Sequence, residues 1–328
     1  MQYRWLGTTG IQISAVSFGA GPVPALLTRS NAAADQRATV RRAIEAGINW
    51  FDTAATYGDG RSELALGQAF AELGGPDVHI ATKVRLSPEG LGDIRDQVLS
   101  SVEASLRRLQ RPRVTLIQLH NSITARRGDL PTSITPHDVL GPAGVLAAFE
   151  ILRRDGLALH CGLTGLGETA ALREVVRSGG FQTVQTPYHL LNPSAGTNFA
   201  PAGVEADYGN IIGECARMGM GVLAIRVFAA GALAGQPPSD HTRTTKFFPL
   251  AIYESDARRA AALARELPPE TDLKELAVRF SLSHPGVSTA LIGFSLPEQI
   301  DHAAAVADRG PLQPELLCRL ERWWQEHC

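Results

Sequence analysis

The sequence reads as α/β: a single (β/α)8 TIM barrel with an N-terminal β-hairpin and an extra C-terminal helix. Three observations predict it. Eight short apolar runs alternate with stretches of helical periodicity from Ala15 onward, the pattern of a closed parallel barrel. No G-x-G-x-x-G follows the first run, so the open, doubly wound alternative lacks its dinucleotide-binding fingerprint. The 328 residues suit one domain over 1–328, with no linker or low-complexity stretch to divide them, since such barrels commonly use about 250 residues or more.

The elements follow in order. Residues 3–14 form a hairpin turning at Thr9-Gly10, and Ala15 to Phe18 is the first barrel strand, leaving through Gly19-Ala20-Gly21-Pro22. Asp35 to Ala46 is helical and stops at Gly47, the residue type that most readily closes a helix. The second strand reaches Asp52, a helix runs from Ser62 to Leu73, and the third strand, His79 to Thr82, ends at Lys83. Leu91 to Leu109 places Ile94, Val98, Val102, Leu106 and Leu109 at helical spacing. The fourth strand, Val114 to Leu119, ends at His120.

A polar, Pro-bearing loop fills 122–142, and Val145 to Arg154 is helical. The fifth strand, Leu159 to Leu163, leads into Thr164-Gly165, and Thr169 to Arg177 is helical. The sixth strand is Thr183 to Gln185, followed by a loop over 188–208 and a helix from Ile211 to Met218. The seventh strand, Gly221 to Ile225, opens a long loop over 229–250. Helices at 255–267 and 273–283 precede the eighth strand, Thr289 to Ile292, and helices at 297–307 and 314–325 complete the chain.

Composition excludes several classes. A net charge of −2 offers no electrostatic footing for nucleic acid or an anionic membrane. Cys161, Cys215, Cys318 and Cys328 form no C-x-x-C pair and the histidines no ligand cluster, which argues against a disulfide framework or a metal site. The N-terminus lacks a basic segment leading into an apolar one, and no run of 18 apolar residues occurs. A soluble, reduced, cytoplasmic protein is the expectation.

Asp52, Lys83 and His120 end three successive strands, and Tyr57 lies five residues past Asp52. Each alone suits a turn cap or a solvated strand end equally well. Together, on the face where barrel strands terminate, they suit carbonyl reduction. A tyrosine hydroxyl has an ordinary pKa of about 10. An ammonium a few ångströms away favours the phenolate and lowers that value by roughly 1–3 units. Asp52 would keep Lys83 charged, and His120 would orient the carbonyl. Such a general acid contributes about 10²–10⁴-fold, while hydride delivery requires a cofactor.

The strings FDTAATYGDGRSELALG, ATKV around Lys83 and LIQLHN around His120 resemble the aldo-keto reductase family. The resemblance extends over nearly the whole chain, from the opening hairpin to VSTALIGFSLPEQI. It implies Asp52, Tyr57, Lys83 and His120 as a catalytic tetrad and a nicotinamide cofactor, NAD or NADP, held without a Rossmann fold. At the nicotinamide end, Thr164-Gly165 replaces the family's Ser-Asn, and Gln185 matches its carboxamide-binding glutamine. Ile225-Arg226-Val227-Phe228 replaces Tyr-Ser-Pro-Leu. Arg226 is then expected either to lie against the cofactor or reach its pyrophosphate, or else to pair with a surface carboxylate. Gly21, Phe228 and Gly231 complete the set at the mouth. Ile292, Gly293, Phe294 and Gln299 fall at the adenosine end, near His302 and Ala303. Such a loop serves a 2′-phosphate poorly, which leaves NAD open beside NADP. GLTGLG and LIGFS resemble the L-galactose/aldose dehydrogenase-like branch.

A small carbonyl compound or sugar is the implied substrate, selected by loops 122–142, 192–208 and 229–250 and the C-terminal tail. Phe247 and Phe248 are candidates to line its pocket, whereas Trp323 and Trp324 suit packing, as do Tyr188 and His189. Trp5 belongs to the hairpin at the barrel's lower end. Three other readings stay open: an aldose dehydrogenase working in oxidation, a cofactor-binding regulatory protein with little turnover, and a barrel hydrolase using Asp52 and His120. The last leaves Tyr57 and Lys83 unexplained.

Overall fold

A computed structural model describes residues 1–327. A two-stranded antiparallel hairpin, β1 (Tyr3–Trp5) and β2 (Gln12–Ser14), precedes eight parallel strands. These are β3 (Val16–Gly19), β4 (Trp50–Asp52), β5 (His79–Val84), β6 (Val114–Leu119), β7 (Ala158–Thr164), β8 (Thr183–Pro187), β9 (Gly221–Ile225) and β10 (Val287–Gly293). They close in the order β10-β3-β4-β5-β6-β7-β8-β9, with helices between successive strands. The (β/α)8 barrel, the hairpin and the C-terminal helix Pro314–Glu326 are all present.

Strand alternation decides what faces the axis. On β5, Ile80 and Val84 pack outward into the main core beneath the helices, whereas Ala81 joins a separate cluster with Leu6, Ile13, Trp50, Leu116 and Leu223. That cluster fills the base of the barrel, and the hairpin supplies Leu6 and Ile13 as its plug. Burying each large side chain there contributes about 1.5–3 kcal/mol. Trp5, 61 % exposed, stays on the hairpin's outer side. Two residues further along the same faces come Asp52, Lys83 and Gln118, so the apolar base gives way to a polar mouth.

Caps set the helix boundaries more than periodicity does. The helix expected from Leu91 begins at Ile94, because the Asp93 carboxylate accepts from the Asp96 N–H at 3.2 Å. The helix expected from Ser255 begins at Leu250, after Pro249, whose missing N–H costs nothing at a helix start. The 122–142 loop holds a short helix, Pro136–Leu140, capped by Thr135 and Asp138, with Arg127 paired to Asp138. The 229–250 loop holds a 3-10 segment at Ala229–Ala234 and a helical turn at Asp240–Thr244. Among the described residues, no helix is long and apolar enough to cross a membrane.

One buried carboxylate ties three elements beneath the mouth. Glu63, on helix Arg61–Glu72, accepts from Thr82 Oγ1 of β5 at 2.5 Å and from Arg108 Nε of helix Ile94–Leu109 at 2.7 Å. Removing one partner of such a pair leaves a buried charge uncompensated, at about 3–5 kcal/mol. Arg108 is partly solvated, so Arg108→Met is expected to destabilise the fold by about 3 kcal/mol, read as a lower urea midpoint with an unchanged slope.

Candidate active site

Lys83 is 1 % exposed, and its ammonium carries three donors that all find acceptors. Nζ donates to Asp52 Oδ1, to the Thr53 carbonyl at 2.8 Å and to Tyr57 Oη at 3.3 Å. The other oxygen of Asp52 accepts from Gln118 Nε2 and Gln185 Nε2, each at 3.0 Å. Burial pushes the Lys83 ammonium toward neutrality, but Asp52 and Tyr57 outweigh it and hold its pKa above the ordinary lysine value. Lys83 is therefore charged inside the barrel.

Tyr57 is positioned by the turn after β4. Thr53 Oγ1 and Ser62 Oγ lie 2.8 Å apart, Ser62 donates to the Ala20 carbonyl, and the Tyr57 N–H donates to Ala54 O at 3.0 Å. Gly21 lies against the phenol, where a Cβ would sit 3.5 Å from its Cε2. His120 meets Tyr57 edge-on, with ring centroids 5.6 Å apart, and its Nδ1 is 3.4 Å from Thr56 Oγ1. Desolvation, with the charges of Arg85 and Lys83, holds His120 well below the ordinary histidine pKa. The Thr56 hydroxyl can donate to Nδ1 or accept from it, and the tautomer in which Nδ1 accepts leaves Nε2–H as a hydrogen-bond donor.

The structure thus brings Asp52, Tyr57, Lys83 and His120 together and adds Gln185 through Asp52. Around the rest of the mouth the expected positions divide. Arg226 adopts φ +57°, its guanidinium 4.0 Å from the Phe248 ring and 3.4 Å from Asp256, a carboxylate that is buried and not on the surface. Phe228 precedes the 3-10 segment and accepts from the Gly231 N–H at 2.9 Å. The Thr164 hydroxyl is buried and donates to Leu119 O at 3.1 Å, so it retains only acceptor capacity.

The adenosine-end set is absorbed by packing. Ile292 is buried, and Phe294 packs on Phe18 with tilted rings 5.5 Å apart, in a row that continues to Phe51 and Phe70. Gly293 passes so close to Val23 that a Cβ would strike that carbonyl oxygen. Gln299 Oε1 accepts from the Ser295 and Leu296 N–H groups, capping helix Pro297–Asp308, and His302 sits 3.4 Å from Asp272. Tyr188 packs on Phe280, His189 is buried 3.7 Å from Glu205, and Trp324 Nε1 donates to Leu190 O.

The aldo/keto reductase family matches residues 15–324. The chain belongs to that family. Among curated relatives, L-galactose dehydrogenase of Arabidopsis thaliana is 28 % identical over 315 residues, covering 94 % of this chain and 89 % of the relative. A putative voltage-gated potassium channel subunit beta of Schizosaccharomyces pombe is 28 % identical, covering 97 % and 92 %. The holo form of an aldo-keto reductase from Bacillus halodurans superposes with a TM-score of 0.73 at 22 % identity, covering 98 % of this chain and 96 % of that one. As an aldo/keto reductase the chain is a nicotinamide-dependent oxidoreductase interconverting a carbonyl and an alcohol.

The exit from β9 fits such a cofactor. Arg226, Ala229 and Ala230 hold φ of 57°, 48° and 56°, and Gly231 follows at 105°. Left-handed non-glycine residues cost about 1–3 kcal/mol each and cluster at ligand sites, although the Ala229 and Gly231 N–H groups are themselves spent on the Arg226 and Phe228 carbonyls. The Arg226 Nε is buried without a hydrogen-bond partner beside it. A dinucleotide's pyrophosphate suits that guanidinium.

Two residues of this aldo/keto reductase site escape motif reading. Gln118 lies two residues before His120, and Arg85 two after Lys83, so the period of two that places the tetrad also points them at the axis.

Burial depresses the pKa of His79, His120, His160, His241 and His284. Below the ordinary histidine value of about 6.5, the unfolded chain takes up protons that the folded chain refuses, so stability is present above that pH and lost as pH falls through it. Denaturant titrations at pH 7.5 and 5.5 are expected to give a lower unfolding free energy at the acidic value.

Proposed function

We propose that Tyr57 is the general acid/base of a carbonyl–alcohol oxidoreductase built on the whole of 1–328 as one domain, acting in the cytoplasm on a small carbonyl compound or aldose. The observation that carries this reading is the single ammonium that joins Asp52 to Tyr57 from within the barrel.

A bound nicotinamide supplies or accepts the hydride. In reduction, negative charge grows on the substrate oxygen, and Tyr57 Oη donates its proton there. The charge left on the phenol oxygen faces the Lys83 ammonium at 3.3 Å, already charged and already oriented, so little reorganisation accompanies proton transfer. Asp52, held by two glutamine amides, keeps Lys83 protonated. Neutral His120 donates from Nε2 to the carbonyl oxygen and fixes its direction. In oxidation the same phenol oxygen, deprotonated, receives the alcohol's proton. Gln185, Arg226 and the Phe228–Gly231 turn would hold the cofactor, with Gly21 beneath Tyr57.

A sugar dehydrogenase working in oxidation is favoured by the L-galactose dehydrogenase relative. The channel-subunit relative favours a binding role, against which stands the intact Tyr57–Lys83 contact.

Tyr57→Phe is expected to lower kcat by about 10²–10⁴-fold on any substrate of the wild type while leaving cofactor affinity, measured by fluorescence titration, within a factor of about three. Retained turnover would refute the role of Tyr57. Arg226→Ala is expected to weaken NAD(P)H binding in the same titration by about tenfold, the loss of one charge-assisted contact of roughly 1.4 kcal/mol.

A further inference from the structure

Arg85 is the charge at the mouth that the proposed chemistry does not use. It continues the inward face of Ala81 and Lys83 on β5, half-buried at the rim. Its Nε is buried with no hydrogen-bond partner, and no carboxylate pairs with it among the described residues. One face of the guanidinium is covered by Phe247, whose ring centroid lies 4.4 Å away, which leaves the edge donors uncovered by that ring. Its charge acts on Tyr57, His120 and His241, so it lies with the reacting groups.

The cofactor side does not account for it. Three strands separate β5 from β9 in either direction around the barrel, so Arg85 is diametrically across from Arg226 and the β9 turn. Lys83 is no substitute, since its three donors are spent. Burial alone lowers the pKa of Arg85, and an anion is what would restore its balance.

Resting on the oxidoreductase reading above, we propose that Arg85 is an anion receptor for the substrate, and that the preferred carbonyl compound carries a carboxylate or phosphate. A guanidinium presents donors in a planar fork that matches either group with two parallel hydrogen bonds. A site built around such a donor rejects analogues lacking the acceptor, because the buried polar group is then left unpaired.

Same-skeleton pairs test this. Initial rates of the full-length enzyme with NADH and NADPH are compared for 4-oxobutanoate against butanal, and for glyceraldehyde 3-phosphate against glyceraldehyde. The wild type is expected to favour the anionic member of at least one pair by tenfold or more in kcat/KM, mainly through KM, and the pair with the larger ratio identifies the anion. In Arg85→Met that ratio is expected to fall to near one, and in Arg85→Lys to an intermediate value. Wild-type ratios of one or below, with the neutral aldehydes turned over, would overturn the inference and leave the oxidoreductase reading intact. So would an Arg85→Met variant that lowers both members equally and shifts the pH profile, which would make Arg85 a residue that tunes Tyr57 and His120. Absence of turnover on every member with both cofactors would defeat the oxidoreductase reading itself.

Discussion

A charged ammonium held out of water is the constraint on which the rest of the site depends. Removing such an ion from solvent costs several kcal/mol even after the protein relaxes. Lys83 meets that cost with a carboxylate, a main-chain carbonyl and a phenol, and Asp52 in turn leans on Gln118 and Gln185. Five segments from separate strands and turns converge on one nitrogen and its counter-ion. The arrangement is high-stakes in the usual sense of buried polar networks, which rigidify a site when complete and destabilise it when one member is lost.

The barrel accommodates this network by stratification. Its lower layer is apolar and sealed by the hairpin, with Leu6, Ile13, Trp50, Ala81, Leu116 and Leu223 in mutual contact. Level with Trp50 and Leu223 in the strand register, Ser17 and Thr289 satisfy one another at 2.7 Å, and the ionic layer follows. Most polar groups lie where partners or the open mouth can satisfy them, whereas Trp50 Nε1 and Thr183 Oγ1 are buried without a hydrogen-bond partner. Over the top, two consecutive phenylalanines, Phe247 and Phe248, lie on arginines from opposite sides of the rim.

Much of this was legible in the sequence. The strand ends bearing Asp52, Lys83 and His120 were readable because parallel strands are short apolar runs with abrupt ends, and Tyr57 followed at a fixed offset. Element existence was clear, whereas boundaries such as Ile94 and Leu250 hung on capping residues that periodicity does not register. Gln118 was visible in principle at two residues before His120, but a glutamine in an apolar strand carries no motif. The contact of Glu63 with Arg108 spans 45 residues and depends on how two helices pack, which no local pattern encodes. Phe247 and Phe248 read as pocket residues from the sequence, yet their stacking on Arg85 and Arg226 emerges only once the loop crosses the mouth. The adenosine-end positions matched by order along the chain, but Phe294 and Gln299 spend their side chains on packing and capping.

The in-and-out alternation of β5 has an evolutionary corollary. Thr82 faces the helices and serves Glu63, while Lys83, one residue on, faces the axis and serves Tyr57. A one-residue slip within this strand would exchange the two sides at once, since neighbouring positions always point to opposite faces. A one-residue insertion or deletion inside this strand would therefore break the Glu63 and Tyr57 contacts together, whereas a change of length in a connecting loop leaves both in place.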